Sequence, residues 1–274
     1  MQGTLWHLGQ AAIIGLVQGL TEFIPISSSG HLIVVRELLH IDDPGNFFDA
    51  VLHLATLLAV LIYFRRDWWD MLRLPRGKTL VKGEIVANRR LLFLIALATI
   101  PALIAGYFGN SWIEHSFRSL PMVAGLLLAT GLTFWGVEHW LKIVKTSQPL
   151  SNFSTFNIGL AQAIAIFPGI SRSGMTILAG LYSGLNREMA ARFSFLLAVP
   201  IIAAAGGYSL YQSISQGMIG QDYGVWLVAF GAAFIAGWAS IYWLLQFLKR
   251  HSLIGFAYYL IIVGSGLLVY SFWR

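Results

Sequence analysis

Apolar runs of about 20 residues recur from one end of this chain to the other, separated by short polar connections. This spacing constrains the fold more than any other feature. A helix crossing the roughly 30 Å hydrocarbon core of a bilayer needs about 20 predominantly apolar residues, and only helices or closed barrels satisfy every backbone polar group there. The 274 residues are 57% apolar and 11% charged, with a mean hydropathy of +0.70. The chain therefore reads as an all-α polytopic membrane protein, one membrane domain over residues 1–274. No stretch is long or polar enough for a separate soluble catalytic or nucleic-acid-binding module. With no cysteine, a disulfide framework, a thiol nucleophile, an iron–sulfur cluster and a cysteine-zinc site are excluded. The net charge of +6 is read as membrane orientation, not nucleic-acid binding. Leu5 to Ile24 lacks a basic leader and contains Gln18 and Glu22, so it is not expected to be a cleavable signal peptide.

Six segments are long enough to cross: Phe47 to Phe64, Leu91 to Gly109, Pro121 to Leu141, Phe193 to Tyr211, Val225 to Leu248 and Leu253 to Trp273. Two regions differ. Leu5 to Ile24 runs into Pro25-Ile26-Ser27-Ser28-Ser29-Gly30, then only Leu32 to Leu39. Phe156 to Phe167 runs into Pro168-Gly169-Ile170-Ser171-Arg172-Ser173-Gly174, then a short arm from Met175 to Leu185. Each second arm is too short to cross at about 1.5 Å per residue, so both regions are expected to be re-entrant hairpins whose irregular tips line a wet cavity or are shielded by protein.

Shifting the chain against itself by 144 positions aligns these regions without a gap, matching Ile14, Gly15, Leu16, Gln18, Phe23, Ile26, Ser27, Ser29, Gly30 and Ile33 with identical residues from Ile158 to Ile177. Each copy, about 1–141 and about 150–274, comprises one hairpin and three crossings. A hairpin adds no net crossing, so the second copy is inverted relative to the first. The Arg65, Arg66, Arg73, Arg76, Lys78, Lys82, Arg89 and Arg90 connection is expected to be cytoplasmic. Counting crossings then places Lys142/Lys145, Arg187/Arg192 and Lys249/Arg250 on that side, and Asp42/Asp43 and Asp222 outside. The two hairpins enter from opposite faces and their tips are expected to meet near mid-membrane.

Ionisable groups at membrane depth cost about 2.5–3.5 kcal/mol on insertion scales, so Glu22, His31, Asp49, His53 and Arg172 need reasons. Gln18 and Glu22, spaced i and i+4, share one helix face. Ser27-Ser28-Ser29 supplies hydroxyls beside Gly30, whose small size allows a tight backbone, and His31 is near enough in sequence to activate a serine. The same hydroxyls would also suit capping of a broken helix. Arg172, among Ser171, Ser173, Gly174 and Thr176, reads as a bidentate phosphate clamp or as a counter-ion for Glu22, two compatible roles. Asp49 and His53 fit metal ligation or an internal hydrogen-bonded pair equally. His7, His40, His115, His139 and His251 fall near segment ends, and the ten Trp and ten Tyr read mainly as packing or interface anchors.

Gln18-Gly19-Leu20-Thr21-Glu22, Pro25-Ile26-Ser27-Ser28-Ser29-Gly30-His31 and Pro168-Gly169-Ile170-Ser171-Arg172-Ser173-Gly174-Met175-Thr176 resemble the motifs of the undecaprenyl-pyrophosphate phosphatase, or bacitracin-resistance protein, family, as does the segment from Arg192 to Pro200. The resemblance covers nearly the whole chain. It implies a multi-pass enzyme of the bacterial inner membrane that hydrolyses undecaprenyl diphosphate on the outer, periplasmic face, recycling the lipid carrier for peptidoglycan synthesis. It also implies a divalent cation, Mg2+ or Ca2+. The first acidic position of the family's pattern is Gln18 here, which makes Glu22 the principal carboxylate. The expected mechanism has Ser28, or Ser27, attacking with His31 as base, while Glu22 holds the metal or orients His31, with Gln18 and Asp49 as further metal ligands. Arg172, Ser171, Ser173, Thr176 and the Gly30 and Gly174 tips would hold the diphosphate, and direct attack by water is the alternative. Membrane lipid is the expected environment, and a homodimer is left open. The rival reading is a polyprenyl-phosphate transporter, since inverted repeats with broken helices are a common transporter plan.

Overall fold

The computed structural model describes residues 2–41, 45–73, 80–81, 84–85, 88–141, 150–217 and 222–273. Asp42, Asp43, Arg76, Lys78, Lys82, Lys142 and Lys145, on which the charge argument partly rests, lie outside the described residues, as does the side chain of His115. The elements in order are α1 (Gln2–Phe23), α2 (Ser28–Leu39), α3 (Asn46–Tyr63), α4 (Arg65–Arg73), β1 (Leu80–Val81), β2 (Glu84–Ile85), α5 (Arg89–Phe117), α6 (Leu120–Leu141), α7 (Asn152–Ile164), α8 (Arg172–Tyr182), α9 (Arg187–Ser215), α10 (Tyr223–Leu248) and α11 (Ile254–Trp273). The two-residue strands pair antiparallel, Leu80 with Ile85 and Val81 with Glu84.

Among the described residues, five helices are long and apolar enough to cross a membrane: α5 through its Arg89–Gly109 part, α6, α9, α10 and α11. The expected Phe47 to Phe64 span qualifies only together with α4, to which it is joined by a 66° bend. Helices α5 and α9 also run past the ends of their apolar segments, to Phe117 and Ser215. Hydropathy marks where lipid ends, while the i→i−4 ladder continues into water wherever no breaker stops it. Asn88, Ser151, Asn186 and Asp222 begin α5, α7, α9 and α10, each accepting a hydrogen bond from a backbone N–H of the first turn through its side chain.

Helix α1 packs on α10, α7 on α5, α3 on both α9 and α10, α9 on α5, and α6 on α11. If the two copies correspond, each of these pairs maps onto another or onto itself. The glycines repeat the contact in atomic detail. A Cβ at Gly15 would stand 2.4 Å from the Ala229 carbonyl oxygen, and one at its counterpart Gly159 would stand 2.5 Å from that of Ala98. Both helices therefore approach closely only because no side chain intervenes. In the α6–α11 pair, Gly131 sits against Ala257 and Ile261, and Gly264 against Ala124 and Leu128. One helix ascends as the other descends. Corresponding helices that run antiparallel are consistent with an inverted repeat.

Charge pairs gather at the two ends of the bundle. Arg192 bonds Asp67 at 2.6 Å, Lys249 approaches Glu188 at 3.7 Å, and Arg187 grips Glu138, which also accepts the Leu253 N–H. At the opposite end of α3, Asp49 lies between Arg36 at 2.5 Å and Arg118 at 3.7 Å. The hydrophobic centre between these ends includes Phe23 packed edge-on against Phe195, with Phe64 beside it.

Candidate functional site

The two broken hairpins meet at half depth. Thr130, the middle of α6, donates its hydroxyl to the Gly169 carbonyl at 3.3 Å, and the Phe23 ring touches Gly237 in the middle of α10. Gly30 of the first tip faces the Cα of Gly169 of the second, where a Cβ would stand 3.2 Å away. Gly169 itself has φ 102°, a left-handed conformation that a side chain would resist.

Both second arms start on their serine motifs, earlier than the apolar pattern implies. Ser27 caps α2 by accepting the Gly30 N–H at 3.3 Å, and Ser171 caps α8 by accepting the Gly174 N–H at 3.1 Å. The corresponding serines thus perform one job in both copies. Ser27 does so at φ 74°, a conformation that costs a non-glycine residue about 1–3 kcal/mol and persists only where its surroundings impose it. Here the restraint is visible: the Ser27 carbonyl accepts both the His31 N–H at 3.1 Å and His31 Nδ1–H at 2.9 Å. Ser27 is only 3% exposed, whereas Ser28 is half-buried.

Glu22 organises the site. Its Oε2 accepts the Ser28 hydroxyl at 2.7 Å and the Gln18 amide at 3.1 Å, and its Oε1 accepts Arg172 at 2.9 Å. Arg172 also reaches the Glu22 carbonyl at 3.4 Å and the Ser194 carbonyl at 3.5 Å. The carboxylate is 6% exposed and the guanidinium 14%, so the arginine is the more open partner of a largely dry pair. The chain Ser28–Glu22–Arg172 therefore joins a hydroxyl, a base and a cation across the two tips.

Several sequence expectations take a different shape. No hydrogen bond joins His31 to Ser28. The serine bonds Glu22, and since a carbonyl can only accept, Nδ1 of His31 carries a proton and is committed to Ser27. Nε2 lies 2.8 Å from the Tyr259 hydroxyl. Ser171, Ser173 and Thr176 are each 1% exposed and turn their hydroxyls into the protein. Ser173 reaches the Ile24 carbonyl at 3.5 Å, and Thr176 pairs with Ser194 at 2.6 Å while donating to the Arg172 carbonyl at 2.8 Å. They brace Arg172 from beneath. Asp49 is held by Arg36 and Arg118, whose positive charge disfavours a cation there, and His53 bonds the Asp49 carbonyl at 2.7 Å, not its carboxylate. Among the described residues no group of three His, Cys, Asp or Glu is placed to hold a metal ion. One neutral oxygen near the site is unpaired: Gln18 Oε1 is buried without a hydrogen-bond partner, on the amide whose nitrogen touches the Glu22 carboxylate.

Two participants escaped the sequence reading. Ser194 lies in the Arg192 to Pro200 segment, so its motif was a signal without a role. Tyr259 stands 228 residues from His31 and looks like any interfacial tyrosine.

Residues 11–266 match the family described as bacitracin resistance protein BacA. Among curated proteins, the chain is 41% identical over 259 residues to an undecaprenyl-diphosphatase of Rubrobacter xylanophilus, covering 92% of this chain and 94% of that one. It is 39% identical over 264 residues to one of Alcanivorax borkumensis, covering 96% and 98%, and 41% identical over 263 residues to one of Micrococcus luteus, covering 93% and 94%. The transporter reading gains no support from these relatives. A match running from the first hairpin into the last helix, and including both tips, places the chain in the bacitracin resistance protein BacA family.

Proposed function

We infer that this chain is an integral membrane phosphatase that hydrolyses the phosphoanhydride of undecaprenyl diphosphate, releasing inorganic phosphate and undecaprenyl phosphate. The observation that carries the reading is the Ser28–Glu22–Arg172 chain at the meeting of the tips, together with relatives that bear the name of this activity. A hydroxyl with a base at 2.7 Å is superfluous for binding alone and needed for bond cleavage.

Arg172 turns its fork toward the terminal phosphate oxygens and balances the charge that builds on them. Ser28 Oγ bonds to the terminal phosphorus as its proton passes to Glu22, and the bridging P–O bond breaks with its electron pair leaving on undecaprenyl phosphate. Water then attacks the phosphoserine, giving a proton to His31 Nε2. Glu22 returns its proton to the departing Ser28 oxygen, hydrogen phosphate leaves, and His31 releases its proton to water. Ser171, Ser173, Thr176 and Ser194 keep Arg172 in place. Gly30, against Gly169, and Gly174, against Phe134, lie in the first turns of α2 and α8 and let the two tips pack closely beneath the diphosphate.

A divalent cation fits this donor set in one manner: Mg2+ is commonly held by one or two carboxylates plus substrate phosphates, and Glu22 with the unpaired Gln18 Oε1 supplies that protein share. When bound, it would neutralise diphosphate charge. The site opens to the periplasmic face of the inner membrane, as the basic connections on the other side favour. The test is phosphate release from a long-chain polyprenyl diphosphate by the purified protein with Mg2+ or Ca2+, and its loss in Ser28→Ala. A wild-type protein that binds the lipid but releases no phosphate overturns the reading.

A further inference from the structure

We propose that Tyr259 of α11 is a positioning residue for His31 in this reaction. The proposal rests on the phosphatase reading, and extends the site to a helix that contains none of the recognised motifs. The Tyr259 hydroxyl lies 2.8 Å from His31 Nε2, and the two ring planes are 13° from parallel with centroids 5.7 Å apart. Because Nδ1–H is spent on the Ser27 carbonyl, the lone pair of a neutral His31 resides on Nε2, and the tyrosine must be the donor. The imidazole is thus held at both nitrogens. Its first restraint comes from its own helix turn and its second from the other half of the chain.

The placement is not accidental packing. Gly131 of α6 sits against Ala257 and Ile261, which bracket Tyr259 and fix its height at the middle of α6. Thr130 of that same turn reaches the second tip at Gly169. One turn of α6 therefore levels both the tip and the tyrosine. Helix α2 itself packs on α1 and α6, so the Tyr259 hydroxyl adds a tie from His31 to α11. A proton acceptor is effective when its lone pair is aimed before the water arrives; the Tyr259 hydroxyl holds Nε2 in that aim in the resting site and turns its own hydrogen aside to yield the lone pair as the water approaches.

Tyr259→Phe keeps the ring and removes only the hydroxyl, and Tyr258→Phe, at the exposed neighbour, controls for a general effect on α11. Phosphate release from polyprenyl diphosphate should fall about tenfold in kcat for Tyr259→Phe, with KM within about twofold, and be unchanged for Tyr258→Phe. Added to His31→Ala, Tyr259→Phe should cost nothing further, because residues acting as one unit are not additive. Independently of turnover, the Nε2 resonance of His31 in a histidine-labelled 15N spectrum, assigned with His31→Gln, should move in Tyr259→Phe and stay in Tyr258→Phe. An inactive wild-type protein refutes the phosphatase reading and leaves the spectrum to decide the pair. A full-rate Tyr259→Phe, a full tenfold loss on top of His31→Ala, or an unmoved Nε2 resonance overturns the proposal.

Discussion

Removing the Arg172 side chain should strand a charge inside the protein, and the size of the penalty follows from the geometry. The Glu22 carboxylate is 6% exposed and loses the cation that sits at 2.9 Å, the one ion-pair partner it has among the described residues. Breaking a buried ion pair by deleting one partner costs about 3–5 kcal/mol. Two features pull the expectation to the low end of that range. Glu22 keeps its bonds from Ser28 and Gln18, and the 14% exposure of the guanidinium means that water can enter the space it leaves and solvate the carboxylate in part. Arg172→Ala should therefore lower stability by about 3 kcal/mol. Glu22→Gln in that background removes the stranded charge while keeping the side-chain shape, and should restore about 2 kcal/mol. Equilibrium unfolding of wild type, both single variants and the double variant in mixed micelles reads the cycle directly. A double variant as unstable as the sum of the two singles, or an Arg172→Ala protein within about 0.5 kcal/mol of wild type, would refute the reasoning.

Arg172→Lys retains the charge but not the fork, so turnover should drop about a hundredfold in a folded protein; near-normal phosphate release from Arg172→Ala would remove the residue from the site. Ser28→Ala should abolish hydrolysis and still bind diphosphate lipid. Ser27→Ala should instead lose a helix cap, about 1 kcal/mol of stability, and retain turnover; the reverse pattern would move the nucleophile by one residue. The chain has no cysteine, so single cysteines give a clean topology test. One at Asp222 should react with an impermeant reagent from outside, and one at Lys249 should not. Outside labelling at Lys249 would invert the orientation.

The spans, the two hairpins and the meeting of their tips were legible because each depends on residues close in sequence: apolar length, a Pro-Gly break, a repeated serine motif. What was not legible depends on backbone angles or distant partners. Ser27 and Ser28 are the same residue type in one run, and only the φ of 74° at Ser27 separates the cap from the hydroxyl that faces Glu22. His31 is adjacent to the serines in sequence, yet the helix turn that brings its N–H back to Ser27 points its ring at Tyr259. Asp49 looked free for a metal because Arg36 and Arg118 lie 13 and 69 positions away and nothing local announces them. The serines around Arg172 looked like ligands because hydroxyls beside an arginine suit a phosphate, and burial alone shows that they face the protein.

The contacts of α1 also dictate an order of events at the ribosome. Gly15 awaits the backbone of Ala229, 214 residues later in the chain, and Glu22 awaits Arg172, 150 residues later. At roughly 5–20 residues per second, the carboxylate is synthesised about 8–30 s before its counter-charge exists. An unpaired acid is too costly to leave in lipid for that time, so the first hairpin must remain at the surface, or be sheltered by the insertion machinery, until the second half of the chain arrives. The first hairpin emerges before the helices that pair with it and reaches its final place only after them.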